Sequence, residues 1–176
     1  MDLESCTNRG SRMSAGQSKS HDQYQPHTKQ SLRLWLRLLD TTTFVEKNIR
    51  SYLKANFDST LPRFDVLAAL DRAGAPLTMS ELSQRLLVSN GNVTGVVARL
   101  VEDGFVVRET DEADRRTQRV SLSRQGRRHF AGMAKKHEAL VDEFFGEVSD
   151  AEMERLVKLL TKLNKSIHDR LGEDQE

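Results

Sequence analysis

Between Asn90 and Arg99 the sequence sets two kinds of residue on opposite sides of one helix. Val93, Val96, Val97, Leu100 and Val101 recur at i, i+3, i+4, i+7 and i+8, which makes one side apolar. The other side collects Asn90, Gly91, Asn92, Thr94, Gly95 and Arg99. Asn pairs bidentately with adenine and Arg with guanine, and the Thr methyl packs on that of thymine, so this set suits a helix that reads base edges in a major groove. An ordinary solvated face would carry good helix formers such as Glu and Lys, whereas two glycines weaken a short helix and need a reason. The glycines and Ala98 leave room for the backbone to come close. A second group lies just downstream. From Arg115 to Arg128 stand Arg115, Arg116, Arg119, Arg124, Arg127 and Arg128 with no acid among them, the electrostatic footprint expected for phosphate. Asp114, beside them, is placed to orient a guanidinium at a loop tip, and a fixed guanidinium suits a narrow minor groove. The whole-chain balance of 27 basic and 26 acidic residues hides this run, because residues 131–176 hold 11 acids against 7 bases.

The elements that must position these groups follow from pattern and punctuation. Residues 1–28 are rich in Ser, Gln, Asn, Gly and His and are expected to be a disordered tail. From Ser31 a helix begins whose polar residues Arg33, Arg37, Asp40, Lys47, Ser51 and Lys54 trace one narrow stripe. Leu32, Leu34, Trp35, Leu36, Leu38 and Leu39 fill most of its remaining circumference, so it is expected to be covered on more than one side, once by its own core and once by a partner subunit. A second helix starts near Leu61, with Pro62 in its first turn and Gly74 as its stop. Thr78-Met-Ser-Glu81 is a capping box opening a short third helix. After the break LVSNG comes the helix of Val93 and Asn92, ended by Gly104. Residues 105–110 and 117–122 then alternate with period two and read as a two-stranded hairpin around the charged loop DEADRR. Ser123 caps a long helix bearing Phe130, Met133, His137, Leu140, Val141 and Phe144, with His137 read as a buried histidine. Ser149-Asp-Ala-Glu152 opens a last helix with Met153, Leu156, Val157, Leu160, Leu163 and Ile167.

Composition excludes several classes. With 176 residues the chain holds one domain core, here residues 29–176. Cys6 is the single cysteine, so no internal disulfide forms, and its place in the tail argues against redox sensing. No apolar run approaches a membrane span, and the N-terminus has no apolar signal-peptide core, which reads as a soluble cytoplasmic protein. Met13 is an alternative start. Five histidines without clustering give no metal site, and no cofactor is expected. No nucleophile elbow, phosphate loop or carboxylate–histidine cluster is present, so an enzyme is not expected.

A helix pair with a tight turn followed by a hairpin is the layout of a winged helix-turn-helix, whose second helix enters the major groove. The fold class is therefore mainly α with a small β-hairpin wing and a helical dimerisation region. The stretches LTMSELSQRL, VSNGNVTGVVARLVEDGFVVRE and DEADRRTQRVSLSRQG resemble the MarR family of bacterial transcription regulators. Asp114, Arg115, Arg116, Leu122, Ser123 and Gly126 match its pattern of an acid, two bases and a strand ending in L-[ST]-x-x-G, and Val93-Thr94 matches its recognition helix. The resemblance spans about residues 31–171, and the chain departs from it at Gly91 and Gly95, which leaves base preference open. It implies a homodimer built from residues 31–60 and 124–171, with a DNA-binding lobe at 61–123 that binds a pseudo-palindromic operator in double-stranded DNA. The DNA-facing set is then Thr78, Ser89, Asn90, Asn92, Thr94, Arg99, Asp114, Arg115 and Arg116. It also implies a small aromatic effector between the dimer helices and the lobe, where Trp35, Arg37, Arg63 and Phe64 are expected. Arg33 and Arg37 suit an anion. More loosely, the chain resembles members that govern aromatic-acid degradation and answer to a coenzyme A thioester. The sequence-level expectation is a ligand-responsive repressor. The alternatives are a constitutive DNA binder and a winged helix used only for protein contact.

Overall fold

The computed structural model describes residues 26–86, 88–110 and 116–172. The chain divides into two units, one up to Thr41 and one from Thr42 onward. The first unit contains the N-terminal half of α1 (Pro26–Phe57). This helix begins earlier than the polarity of residues 26–30 suggests. Pro26 supplies a first-turn residue that needs no amide partner, a start signal that apolar periodicity does not register. From Thr28 to Thr41 every side chain except Leu38 is exposed.

The second unit is built on the rest of α1, followed by α2 (Leu61–Ala73), β1 (Leu77–Thr78), α3 (Met79–Leu86), α4 (Asn90–Glu102), β2 (Val106–Thr110), β3 (Gln118–Leu122), α5 (Arg124–Phe144) and α6 (Asp150–Gly172). Its core gathers Leu53 of α1, Leu67 of α2, Leu82 of α3, Leu100 of α4, Val120 of β3 and Met133 of α5, all essentially inaccessible to solvent. Burial of each such side chain contributes roughly 1.5–3 kcal/mol. One cluster thus fixes α2, α3 and α4 against the sheet.

The sheet has three antiparallel strands in the order β1-β3-β2, one more than the hairpin expected from sequence. β1 is two residues long, Leu77 opposite Val120 and Thr78 opposite Arg119. Two residues carry no readable alternation, which is why the strand was invisible in the sequence. β2 and β3 pair from Val106–Leu122 to Thr110–Gln118. Val120 and Leu122 point into the core, whereas β2 is buried only at Val106 and is exposed from Val107 to Thr110. Strand β2 therefore leaves the core after one residue, and beyond the Arg108–Val120 pair the hairpin projects as a wing. Among the described residues no helix is long and apolar enough to cross a membrane.

Candidate nucleic-acid interface

The helix pair α3–α4 is set by backbone caps. Thr78 Oγ1 accepts from the Glu81 amide at 3.2 Å, and Glu81 Oε2 accepts from the Thr78 amide at 2.7 Å, the reciprocal bonds expected of a capping box. These bonds, and then Arg119 and Arg85, hold the Glu81 carboxyl below its ordinary pKa. Thr78 therefore uses its hydroxyl within the fold. At α4 the situation differs. The Ser89 carbonyl accepts from Asn92 and Val93 at 3.1 and 3.4 Å, but its hydroxyl makes no capping bond. No acid stands in the first turn. The first turn of α4 thus brings no acid of its own to the positive end of the helix dipole, which suits a phosphate.

Along α4, Val93, Val97 and Leu100 are buried, while Gly91, Asn92, Thr94, Gly95 and Arg99 are exposed. A methyl group added at Gly91 or Gly95 would meet nothing within 4 Å. The fold itself does not demand glycine at either site, although each costs about 1 kcal/mol of helix propensity relative to alanine. Their absent side chains leave the α4 backbone open to an outside surface. Asn90 opens this helix. Asp114 and Arg115 lie outside the described residues. Arg116 is exposed at the edge of the wing, and Arg108 of β2 adds a second exposed guanidinium there that the sequence reading did not single out. Its place in an alternating strand next to the basic run was the available signal. Arg124, Arg127 and Arg128 are exposed on the first turns of α5. Arg119 is used internally: Nη1 donates to the Pro76 carbonyl at 3.4 Å and lies 3.8 Å from Glu81 Oε2, which ties the sheet to the α3 cap.

The far end of α4 closes in a left-handed turn. Phe105 N donates to Leu100 O at 2.9 Å and Gly104 N to Val101 O at 3.0 Å, with Gly104 at φ 75°. This Schellman arrangement satisfies the last carbonyls and aims the chain into β2. Asp103, the cap residue, accepts from Arg63 Nη2 at 2.5 Å across 40 residues of sequence. The Arg63 side chain is only 20% exposed, and its Nε is buried with no hydrogen-bond partner among the described residues. Replacing Asp103 by Ala would leave a largely buried guanidinium without its anion. Urea unfolding is expected to register a loss of about 1–3 kcal/mol, and an unchanged midpoint would reduce the pair to decoration.

Of the four residues expected at an effector site, Trp35 and Arg37 are exposed on α1. Arg63 is the partner of Asp103. Phe64 is buried, its ring 5.5 Å from Phe130 and 4.6 Å from His137, so it serves the core. His137 is half-buried, and desolvation holds its pKa down. Among the described residues, no group of three or more His, Cys, Asp or Glu is placed to hold a metal ion.

A model of the MarR family matches residues 57–117, which run from the end of α1 through the α3–α4 pair to the wing. An uncharacterised HTH-type transcriptional regulator of Bacillus cereus is 32% identical over 133 residues, 75% of this chain and 87% of that protein. The transcriptional activatory protein BadR of Rhodopseudomonas palustris is 31% identical over 134 residues, 74% of this chain and 76% of BadR. Among solved structures, a mutant MarR from E. coli complexed with operator DNA matches with a TM-score of 0.64 and 26% identity, over 72% of this chain and 91% of that one. With a wing, a polar α4 face and relatives of this kind, the chain belongs to the MarR family of DNA-binding transcriptional regulators.

Proposed function

We propose that the protein is an effector-controlled repressor that binds a pseudo-palindromic operator as a homodimer, with α4 of each subunit in a major groove. In this reading residues 61–123 form the DNA-binding lobe, and residues 31–60 and 124–171 supply the dimer. The observation that carries it is the exposure of Asn92, Thr94 and Arg99 on a helix whose opposite side is locked into the core by Val93, Val97 and Leu100. Ser89 at the helix start and Arg108 and Arg116 on the wing supply phosphate and minor-groove contacts, and Asp114 and Arg115, outside the described residues, are expected to act with them. Asn92→Ala is expected to cost about 1–3 kcal/mol on the preferred operator and little on random duplex. Gel-shift titration on both duplexes reads this, and equal losses would reduce Asn92 to a backbone contact.

The effector half of the proposal is a small aromatic molecule, an acid or its coenzyme A thioester by the family resemblance, whose binding lowers operator affinity. A ligand acts only through its different affinity for the two dimer shapes, so a ~10²-fold release needs ~2.7 kcal/mol of difference. Constitutive DNA binding is the second reading, favoured by the burial of Phe64 and the engagement of Arg63. BadR is an activatory protein, so transcription from an operator-bearing template, with and without effector, decides the sign of regulation.

A further inference from the structure

A cavity of about 520 Å³ opens within the second unit, walled by the second half of α1, the start of α2, Leu86 and Val88 around the end of α3, and the first turns of α4. Pockets of roughly 300–1,000 Å³ hold small organic ligands. Its apolar wall includes Leu61, Val66 and Val96. The charged groups are Glu46, Arg50 and Asp65. Glu46 Oε2 accepts from Arg50 Nη2 at 2.9 Å, so this cation is already matched by an anion. Asp65 is half-buried, and no hydrogen bond or ion pair of its carboxyl is found among the described residues.

We propose that this cavity takes an aromatic or alkyl cation, an ammonium group pairing with Asp65 while the apolar body lies against Val66 and Val96. This rests on the effector-controlled reading above and departs from it in charge: the lining of this cavity favours a cation over the aromatic acid that the family resemblance implies. The net charge of the lining is −1, from two carboxylates and one guanidinium. An anionic ligand would have to displace Glu46 from Arg50 and would still face Asp65. A cation meets a carboxylate that makes no hydrogen bond or ion pair among the described residues, with the attraction of Arg50 on it offset by Glu46. Burial raises the Asp65 carboxyl above its ordinary pKa, Arg50 pulls it down and Glu46 pushes it up. A half-buried charge without a hydrogen-bonding partner is costly, and a bound ammonium offsets part of that cost.

The cavity also explains how occupancy would reach DNA. Asn92 lines it, and Asn92 stands on the exposed face of α4. A ligand held by Asp65 competes for the same side chain that reads bases, so release needs no long relay.

The test uses the full chain and three probes of matched shape: 1-naphthylmethylamine, 1-naphthalenemethanol and 1-naphthoate. Calorimetry and operator gel shifts are run on the wild type, Asp65→Asn and Arg50→Gln. The amine is expected to bind the wild type most tightly and to weaken operator binding. Asp65→Asn should lose roughly tenfold in amine affinity, ~1.4 kcal/mol, and Arg50→Gln should not weaken it. Stronger binding by naphthoate, lost in Arg50→Gln and kept in Asp65→Asn, overturns the cation assignment while leaving effector control intact. Binding of none of the three overturns the site. Amine binding with no change in operator affinity keeps the site and removes its regulatory role.

Discussion

Gly126→Ala is expected to lower the unfolding free energy by about 3 kcal/mol or more, at the upper end of overpacking costs. An added Cβ would lie 1.9 Å from the Phe105 carbonyl oxygen and 2.8 Å from its carbon, backbone atoms with no rotamer to yield. The first turn of α5 is held there from three directions. The Ser123 amide donates to that Phe105 oxygen at 2.9 Å. The Ser123 hydroxyl donates to the Gly104 carbonyl at 2.6 Å and accepts from the Gly126 amide at 2.9 Å. Backing the turn away to admit a methyl group would break bonds that also fix the α4–β2 junction, and hence the angle of the wing. Gly132 in the same helix is the control, because a methyl group there meets nothing within 4 Å. Gly132→Ala should gain up to about 1 kcal/mol. At roughly 2–4 °C per kcal/mol for a chain of this size, the two variants should melt well apart. Melting temperatures within about 2 °C of each other would mean that the turn adjusts freely.

Gly126 also marks the border between what the sequence makes legible and what it does not. The motif Leu122-Ser123-x-x-Gly126 is readable, and so is Ser123 as a cap, because capping is a relation over three residues. The reason for the glycine is a contact with Phe105, 21 positions away, and no local pattern contains it. The same division runs through the molecule. The faces of α4, the stops at Gly74 and Gly104 and the Thr78–Glu81 box depend on spacings of one to eight residues, and they stand in the structure as the sequence implies. Strand β1 is too short to show a period. The Arg63–Asp103 pair spans 40 residues, and it makes a residue expected to meet a ligand a brace for the end of α4. Phe64 was placed by its family position, but its burial against Phe130 is a tertiary fact. The cavity beside Asp65 draws on four separate helices, α1 to α4. Its charge balance depends on Arg50 folding back onto Glu46 one turn earlier, a rotamer choice that sequence leaves open.

Charging the exposed stripe of α6 is expected to abolish dimerisation and, with it, operator binding. Leu156, Leu160 and Ile167 are 49%, 44% and 45% exposed, and Val157, Leu159 and Leu171 are more open still. Leu156, Leu160, Ile167 and Leu171 follow helical spacing on one side, with Leu163 half-buried between them. In the other unit Leu32, Leu34, Trp35, Leu36 and Leu39 are each about half exposed. A soluble monomer rarely leaves an apolar stripe such as that of α6 in water, and a second copy related by a two-fold axis would bury the same stripe on both chains. A dimer presents two recognition helices about one DNA turn apart, so the second half-site is met at an effective concentration near the millimolar range. The double variant Leu156→Glu with Leu160→Glu leaves α2–α4 and the wing untouched, since neither side chain belongs to the core. Sedimentation should give the monomer mass at micromolar concentration. Operator affinity should fall roughly 10²–10⁴-fold, while affinity for a single half-site changes little. Circular dichroism close to that of the wild type would confirm that the lobe remains folded. A variant that stays dimeric would move the interface off α6. A monomer that keeps full operator affinity would instead remove the two-fold reading of the operator, because one α4 helix would then be sufficient for recognition.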